Sequence, residues 1–169
     1  MRPVPIGQFA SALTRVLLAG DGSTTLLLQA LTGGPVKASL RSLSHQPAAH
    51  LPAGPRALLG LADGATAIVR RSLLLDQRDT PVSRNEVIAF SDDALLRRVV
   101  SDPVRPVGLG LIAHDIDHSR RLHATGLTRW DATGLEAASK VYLIRAAATP
   151  FMLVWETFNP ALIPSGITT

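Results

Sequence analysis

Residues 140–160 read KVYLIRAAATPFMLVWETFNP, which is two apolar runs separated by the short segment AATP. Runs of this composition on either side of a turn predict a β-hairpin. A second stretch, ATAIVRRSLLLDQRDTPVSRNEVIAF at residues 65–90, predicts another hairpin that turns at DQRDTP. Hairpins pair their strands antiparallel, so the chain predicts an α+β fold with an antiparallel sheet of about six strands, flanked by helices.

The segments around the hairpins carry helix and loop signals. Ser23 is a good N-cap for an apolar run that Gly33-Gly34 would end. Proline and glycine elsewhere are interpreted as marks of connections. The resulting predictions are a helix at 7–19, a helix at 23–34, a strand at 35–42, a connection at 42–55, a Ser-capped helix at 91–102, a loop at 103–119, and a strand followed by a turn at 120–132.

The composition describes a compact globular protein. The chain has 169 residues, of which 46% are hydrophobic and 18% charged, so we expect a single domain over residues 1–169. No apolar run approaches the ~20 residues of a membrane span, and we expect a cytoplasmic protein with no membrane partner. The absence of cysteine excludes disulfides, thiolate metal sites and a cysteine nucleophile.

The charge balance is basic, with 17 Lys and Arg against 13 Asp and Glu, a net charge of +4. The basic residues are dispersed and aromatic residues are only 4% of the chain, so we expect no nucleic-acid interface. Two interpretations remain, an Arg-rich solvated surface or a small anionic ligand bound by one or two arginines.

Arg70 and Arg71 lie inside an apolar strand, where alternate side chains point to opposite faces. The neighbours of Arg71 on its face are all apolar, whereas those of Arg70 are mixed, so the pattern predicts that Arg71 points inward. A buried guanidinium needs an anionic partner or several acceptors. The alternative is a structural ion pair between Arg71 and an acid such as Glu86.

Glu156 is the acid within the last apolar run, and it shares a strand face with Met152, Val154 and Phe158. If this face is buried, desolvation raises the pKa of Glu156 and suits it to proton donation or to hydrogen bonding with a hydroxyl. If the residue lies at the strand end, it reaches solvent instead, and the strand pattern alone leaves both interpretations open.

Residues 114–118, HDIDH, place His114 and His118 four apart, and His123 lies near. This spacing would align two metal ligands on a helix, but the surrounding glycines and acids favour a loop, so we expect no metal site. The Gly-x-Gly of residues 108–110 lacks the strand and helix context of a nucleotide-binding motif.

Four motifs follow one another along the chain: LLAGDGSTT at residues 17–25, Arg71 with Pro81 ten residues later, PVG at residues 106–108, and PFMLVWETFNP at residues 150–160. In this order they resemble the chorismate lyase (chorismate pyruvate-lyase) family over about residues 12–164. That family has an opening LL-x-x-D-x-S-x-T, an inward Arg followed ten residues later by a hairpin Pro, and a Pro-Leu-Gly segment. It closes with P-L-L-L-T-E-x-F-x-P, which PFMLVWETFNP matches with one extra residue before Glu156.

The resemblance implies a lyase that converts chorismate to 4-hydroxybenzoate and pyruvate in a cavity enclosed by helical flaps, without a metal or cofactor. It implies that Arg71 and the backbone N–H of Val107 bind the ring carboxylate. It also implies that Glu156 meets the oxygen at ring position 4 as general acid, and that Thr24 lines the pocket. Arg71 and Glu156 would then be the catalytic residues.

Two other functions are open. Departures from the family pattern, such as Ser72 after Arg71, leave open a same-fold enzyme of secondary metabolism that acts on another cyclic carboxylic acid, although the presence of both Arg71 and Glu156 favours chorismate lyase. Effector domains of some transcriptional regulators share the fold and bind small molecules without catalysis. They normally follow a DNA-binding domain, for which the N-terminal segment is too short, and this argues against a regulator. We expect a monomer or weak homodimer whose partner is a small-molecule carboxylate substrate.

Overall fold

A seven-stranded antiparallel sheet organises the chain in the computed structural model, which describes residues 1–90, 93–130 and 134–168. The strand order is β1-β5-β6-β7-β4-β3-β2. The strands are β1 (Arg2–Pro3), β2 (Lys37–Pro47), β3 (Thr66–Leu75), β4 (Pro81–Ala89), β5 (Ser119–Arg129), β6 (Glu136–Ala146) and β7 (Thr149–Phe158). The predicted α+β fold with an antiparallel sheet is confirmed, with the two-residue β1 as an additional edge.

Both predicted hairpins form, and they meet in the middle of the sheet. β3 and β4 turn at Asp76, whose side chain accepts hydrogen bonds from the backbone N–H groups of Arg78 at 2.8 Å and Thr80 at 2.9 Å. β6 and β7 turn through Ala147, which has a φ of 50°. Because β4 pairs with β7, the two hairpins form the four central strands.

Five α-helices accompany the sheet in the described ranges, and the longest has nine residues, so none of them is long enough to cross a membrane. They are α1 (Ala12–Ala19), α2 (Thr24–Thr32), α3 (Ala53–Leu59), α4 (Ala94–Ser101) and α5 (Val107–Ala113). The prediction for α2 is confirmed, since the Ser23 hydroxyl accepts a hydrogen bond from the Leu26 N–H at 3.4 Å and Gly33 ends the helix at a φ of 74°.

Other predicted boundaries were wrong because proline begins helices here. Pro52 and Pro106 lie just before α3 and α5, in segments predicted to be a connection and a loop. Proline costs nothing there because the first N–H groups of a helix have no intrahelical partner. Asp93 caps α4, while the predicted cap Ser91 and the turn predicted at 131–132 lie outside the described residues.

The two faces of the sheet are covered differently. Helices α1, α2, α4 and α5 cover one face, hereafter the helical face, while α3 covers only part of the opposite face, hereafter the open face. The helical face includes Ile68, Leu74, Val87, Met152, Val154 and Phe158, and the buried part of the open face includes Val69, Ile88, Val141 and Leu153.

The prediction that Arg71 points inward was wrong. The Arg71 side chain is 59% exposed on the open face, and its Nε pairs with Glu86 Oε2 at 2.5 Å, which is the alternative ion pair. Arg70 is the buried residue, at 1% exposure. The apolar neighbours of Arg71 led to the wrong prediction because Ala67 and Val69 are buried beneath α3, whereas Arg71 lies beyond the part of the open face that α3 covers. The face of β3 that carries Arg70, with its mixture of polar and apolar residues, is the one that points inward.

Arg70 fixes the connection between α4 and α5 to the sheet. Its guanidinium donates hydrogen bonds to the carbonyl oxygens of Val100 at 3.1 Å and Arg105 at 3.3 Å. Val100 lies in the last turn of α4, where carbonyls lack helical partners and the helix dipole favours a cation. Burial lowers the pKa of Arg70, and nearby Asp102 opposes that shift.

Arg70→Met is therefore expected to destabilise the fold more than Arg71→Met. The first change leaves buried carbonyls without their donor, which typically costs about 1–3 kcal/mol. The second removes an exposed ion pair, with a cost of about 0–1 kcal/mol. Urea unfolding of the two matched variants measures the difference. Equal losses, or a larger loss for Arg71→Met, would contradict this assignment of faces.

Candidate ligand-binding pocket

A row of buried polar residues crosses the central strands on the helical face. Ser72 of β3 lies opposite Asn85 of β4, Asn85 lies opposite Glu156 of β7, and Glu156 lies opposite Lys140 of β6. All four are buried, with at most 7% of their surface exposed. Side chains directly opposite one another in an antiparallel pair share a face. The register of the two hairpins therefore assembles the row.

A small cavity lies above this row. Its volume is about 40 Å³, which holds only a few water molecules and is well below the ~300 Å³ at which small-molecule pockets begin. Its walls come from the start of α2, the start of α5 and the helical face of the sheet. The lining residues are Ser23, Thr24, Thr25, Ser72, Leu74, Asn85, Val87, Pro106, Val107, Gly108, Arg120, Tyr142, Ile144, Val154 and Glu156.

Hydrogen-bond donors converge at one end of the cavity, beside Gly108. A Cβ added to Gly108 would lie 3.2 Å from Arg120 Nη2, 3.7 Å from Ser23 Oγ and 3.8 Å from Thr25 Oγ1. The first N–H groups of α2 lie at the same place and carry the positive end of the helix dipole. A guanidinium, two hydroxyls and a helix start suit an anionic group.

Three buried polar atoms at the cavity make no hydrogen bond of good geometry with the described residues, although Thr24 is close enough to Tyr142 and Glu156 to influence the pKa of both. They are Thr24 Oγ1, Arg120 Nε and Glu156 Oε2. Thr24 is 4% exposed and Glu156 is 2% exposed. Buried polar groups in folded proteins almost always have a partner, so three such atoms around one cavity need an explanation.

Glu156 forms the acidic end of the cavity. Burial raises the pKa of its carboxyl group above the ordinary value, while the charge of Lys140 acts in the opposite direction, assisted by Thr24, Arg120 and Ser83. Of the two interpretations that the strand pattern left open for Glu156, the buried one is correct. The alternative of a solvent-exposed strand end is wrong because α1 and α2 cover this end of β7.

Tyr142 lies between the two ends of the cavity. Burial raises the pKa of its phenol, so the ring stays neutral, and its hydroxyl is close to Thr24 and Arg120. The ring centroid is 5.3 Å from Lys140 Nζ, within the range of a cation–π contact. A neutral hydroxyl can donate or accept a hydrogen bond, so Tyr142 suits either end of a ligand.

The structure brings together three of the four predicted site residues. Thr24, Val107 and Glu156 line the cavity, whereas Arg71 lies on the open face. The buried neighbour of Arg71, Arg70, does not line the cavity either, since its guanidinium binds carbonyls of the α4–α5 connection.

Sequence reasoning missed the residues that supply positive charge at the site, Arg120 and Lys140. Lys140 had a signal, because pairing outward from the turn of the predicted hairpin places it opposite Glu156 once a bulge at Ile144/Arg145 is allowed for. Arg120 had none. It lies at the start of β5, and only the tertiary fold brings it to α2 and α5.

The histidine motif forms no ligand cluster. Nδ1 of His118 lies 2.7 Å from the carbonyl oxygen of Ile116, two residues earlier in the same loop. Within residues 1–90, 93–130 and 134–168, no group of three or more His, Cys, Asp or Glu side chains is arranged to hold a metal ion.

No protein-family model and no curated protein matches the chain. Solved structures do match it. The effector domain of PhnF from Mycobacterium smegmatis has a TM-score of 0.57 and 12% identity over 95% of this chain and 93% of its own. The C-terminal domain of the histidine utilization repressor from Pseudomonas syringae pv. tomato has a TM-score of 0.54 and 9% identity over 75% and 93%.

A third similar structure is described as the ligand-binding domain of a GntR-family transcriptional regulator from Bordetella bronchiseptica, with a TM-score of 0.55 and 12% identity over 80% of this chain and 91% of that one. At these identities the likeness shows the fold alone. The chain shares the fold of these regulator domains. None of the three is named as a chorismate lyase. Because they are domains of regulators, the expected absence of a nucleic-acid partner finds no support in them.

Proposed function

We propose that the protein binds a small organic anion that also carries a hydrogen-bond donor, in the cavity between α2, α5 and the sheet. The observation that carries this proposal is the set of three unpartnered buried atoms, Thr24 Oγ1, Arg120 Nε and Glu156 Oε2, around one cavity. Leaving a buried polar group unpaired costs about 1–3 kcal/mol, and a ligand that pairs with these atoms recovers that cost.

The two ends of the cavity define the ligand. Arg120, the hydroxyls of Ser23 and Thr25 and the start of α2 favour a carboxylate or phosphate at one end. Glu156 favours a hydroxyl or amine at the other end. The apolar lining between them, Leu74, Val87, Ile144 and Val154, favours a ring or short hydrocarbon body.

Binding requires α2 or α5 to move away from the sheet. A ring-sized ligand does not fit in about 40 Å³. The described contacts between α2 and α5 are few, whereas the strands beneath them are extensively paired. Movement of these two helices on a rigid sheet is how a binding module of this kind would report its ligand. The names of the similar structures, effector domain and ligand-binding domain, support the same function.

Arg120→Met is expected to weaken binding of 4-hydroxybenzoate, a probe with a carboxylate and a hydroxyl at opposite ends. Loss of a charge-assisted hydrogen bond costs roughly 1.5–3 kcal/mol, about a tenfold or greater loss of affinity. Arg121→Met is the matched control, because Arg121 is exposed and outside the cavity. Isothermal titration with 4-hydroxybenzoate, 4-hydroxyphenyl phosphate and benzoate makes the measurement. Equal affinities of both variants for every probe would contradict the proposal.

Chorismate lyase activity is a second candidate, favoured by the buried Glu156. Burial raises the pKa of Glu156, and in its protonated form the carboxyl group could donate a proton to the ether oxygen as the enolpyruvyl group leaves. Chorismate is a dianion, and Arg120 and the start of α2 would bind one carboxylate. The position of Arg71 on the open face weighs against this candidate, since the resemblance assigns that residue to the substrate.

If Glu156 is the general acid, Glu156→Gln should slow single-turnover conversion of chorismate by about 10²–10⁴-fold, the usual value of positioned proton transfer. The glutamine keeps the shape and can still hydrogen-bond the substrate. The measurement follows 4-hydroxybenzoate absorbance and pyruvate release. Absence of product from the wild-type protein at high concentration would leave the binding function and remove the lyase candidate.

A further inference from the structure

Lys140 is a buried ammonium in the middle of the sheet. It is 1% exposed, and its Nζ donates hydrogen bonds to the carbonyl oxygens of Leu17 at 2.8 Å and Gly20 at 3.2 Å. These carbonyls lie at the C-terminal end of α1, where the helix dipole favours a cation. The only other lysine, Lys37, is exposed and paired with Asp79.

Lys140 and Glu156 face each other across adjacent strands and are both buried. No direct ion pair joins them, because the ammonium donates to the two carbonyls of the α1 end instead. The charge of Lys140 therefore acts on Glu156 through space, in a buried environment where such interactions are strong. Glu156 Oε2 is left free to accept a hydrogen bond from something else.

We propose that Lys140 is a positioning residue that sets the protonation state of Glu156, and thereby the kind of ligand group that this end of the cavity accepts. The part that concerns ligands rests on the proposed binding function, and the part that concerns protonation does not. The charge of Lys140 shifts Glu156 towards its ionised form, in which the carboxylate accepts from hydroxyl, amine or amide N–H donors. Loss of that charge shifts Glu156 towards the protonated acid, which can donate to acceptors such as a carbonyl oxygen.

The other groups around Glu156 do not replace Lys140. Thr24 of α2 and Ser83 and Asn85 of β4 are uncharged, and Tyr142 of β6 is a neutral phenol. Arg120 of β5 acts in the same direction as Lys140, but its influence on Glu156 is the smaller of the two. Asp21, after α1, acts on Lys140 and favours its charged form.

The direction of the pH dependence follows from the two shifts. Burial raises the pKa of Glu156 and lowers the pKa of Lys140, while the charge of each residue opposes the shift of the other. A donor ligand binds the ionised carboxylate, so its affinity rises as pH increases through the pKa of Glu156. Removal of the Lys140 charge raises that pKa further, and the rise in affinity moves to higher pH.

The direct test is a pH titration of the unliganded protein by NMR with ¹³C-labelled glutamate carboxyl groups. The chain has three glutamates, and the exposed Glu86 and Glu136 serve as internal controls. In Lys140→Met the midpoint of Glu156 should rise by about one pH unit or more, the usual effect of losing a nearby opposite charge. Glu86 and Glu136 should not change, and Lys140→Arg should restore the Glu156 midpoint. An unchanged Glu156 midpoint in Lys140→Met would overturn the proposal.

The reciprocal titration decides the matter if Lys140→Met does not fold. Coupled groups shift each other, so Glu156→Gln should lower the midpoint of Lys140, observed with ¹³Cε-labelled lysine and with Lys37 as control. An unchanged Lys140 midpoint would overturn the proposal. Both titrations are made without ligand, so failure of the probes to bind would affect only the binding function. If the probes bind normally but the titrations of Lys140 and Glu156 do not affect each other, only the proposed role of Lys140 is rejected.

Discussion

The pairing of β4 with β7 is the constraint on which the site depends. This ladder joins two hairpins that are separate in sequence, and its register places Asn85 against Glu156. The hairpin registers then extend the row to Ser72 on one side and Lys140 on the other. A shift of one residue in this ladder would move one hairpin's half of the row to the open face and separate Asn85 from Glu156. The backbone hydrogen bonds of the central strands therefore hold the acid in place, and no flexible loop is involved.

The helices above the row complete the site and give it two different ends. The start of α2 and the start of α5 bring donors beside Gly108, while the end of α1 receives Lys140 near the acid. Arg70, although buried, serves this arrangement indirectly by holding the α4–α5 connection. The result is a rigid, polar sheet surface beneath helices that are packed closely enough to leave little space. Such a design suits ligand-dependent movement of helices over a fixed platform.

The elements that local chemistry determines could be predicted from the sequence. The two hairpins, the Ser23 cap and the Gly33 end of α2 depend on nearby residues, and the structure confirms them. The choice between Arg70 and Arg71 depends on how far α3 extends over the open face, which no strand pattern contains. Arg120 reaches the cavity only through the tertiary fold. Proline marks both the breaks between elements and the starts of helices, so the sequence does not show that Pro52 and Pro106 precede α3 and α5.

Ligands are proposed to bind on the helical face of the sheet, at the polar row. Backbone amide chemical shifts during titration with 4-hydroxybenzoate distinguish this face from the open face, because different residues report on each. The largest changes are expected at Thr24, Gly108, Arg120 and Glu156, with little change at Arg71 and Trp155. Largest changes at Arg71 and Trp155, which line a groove on the open face, would contradict it.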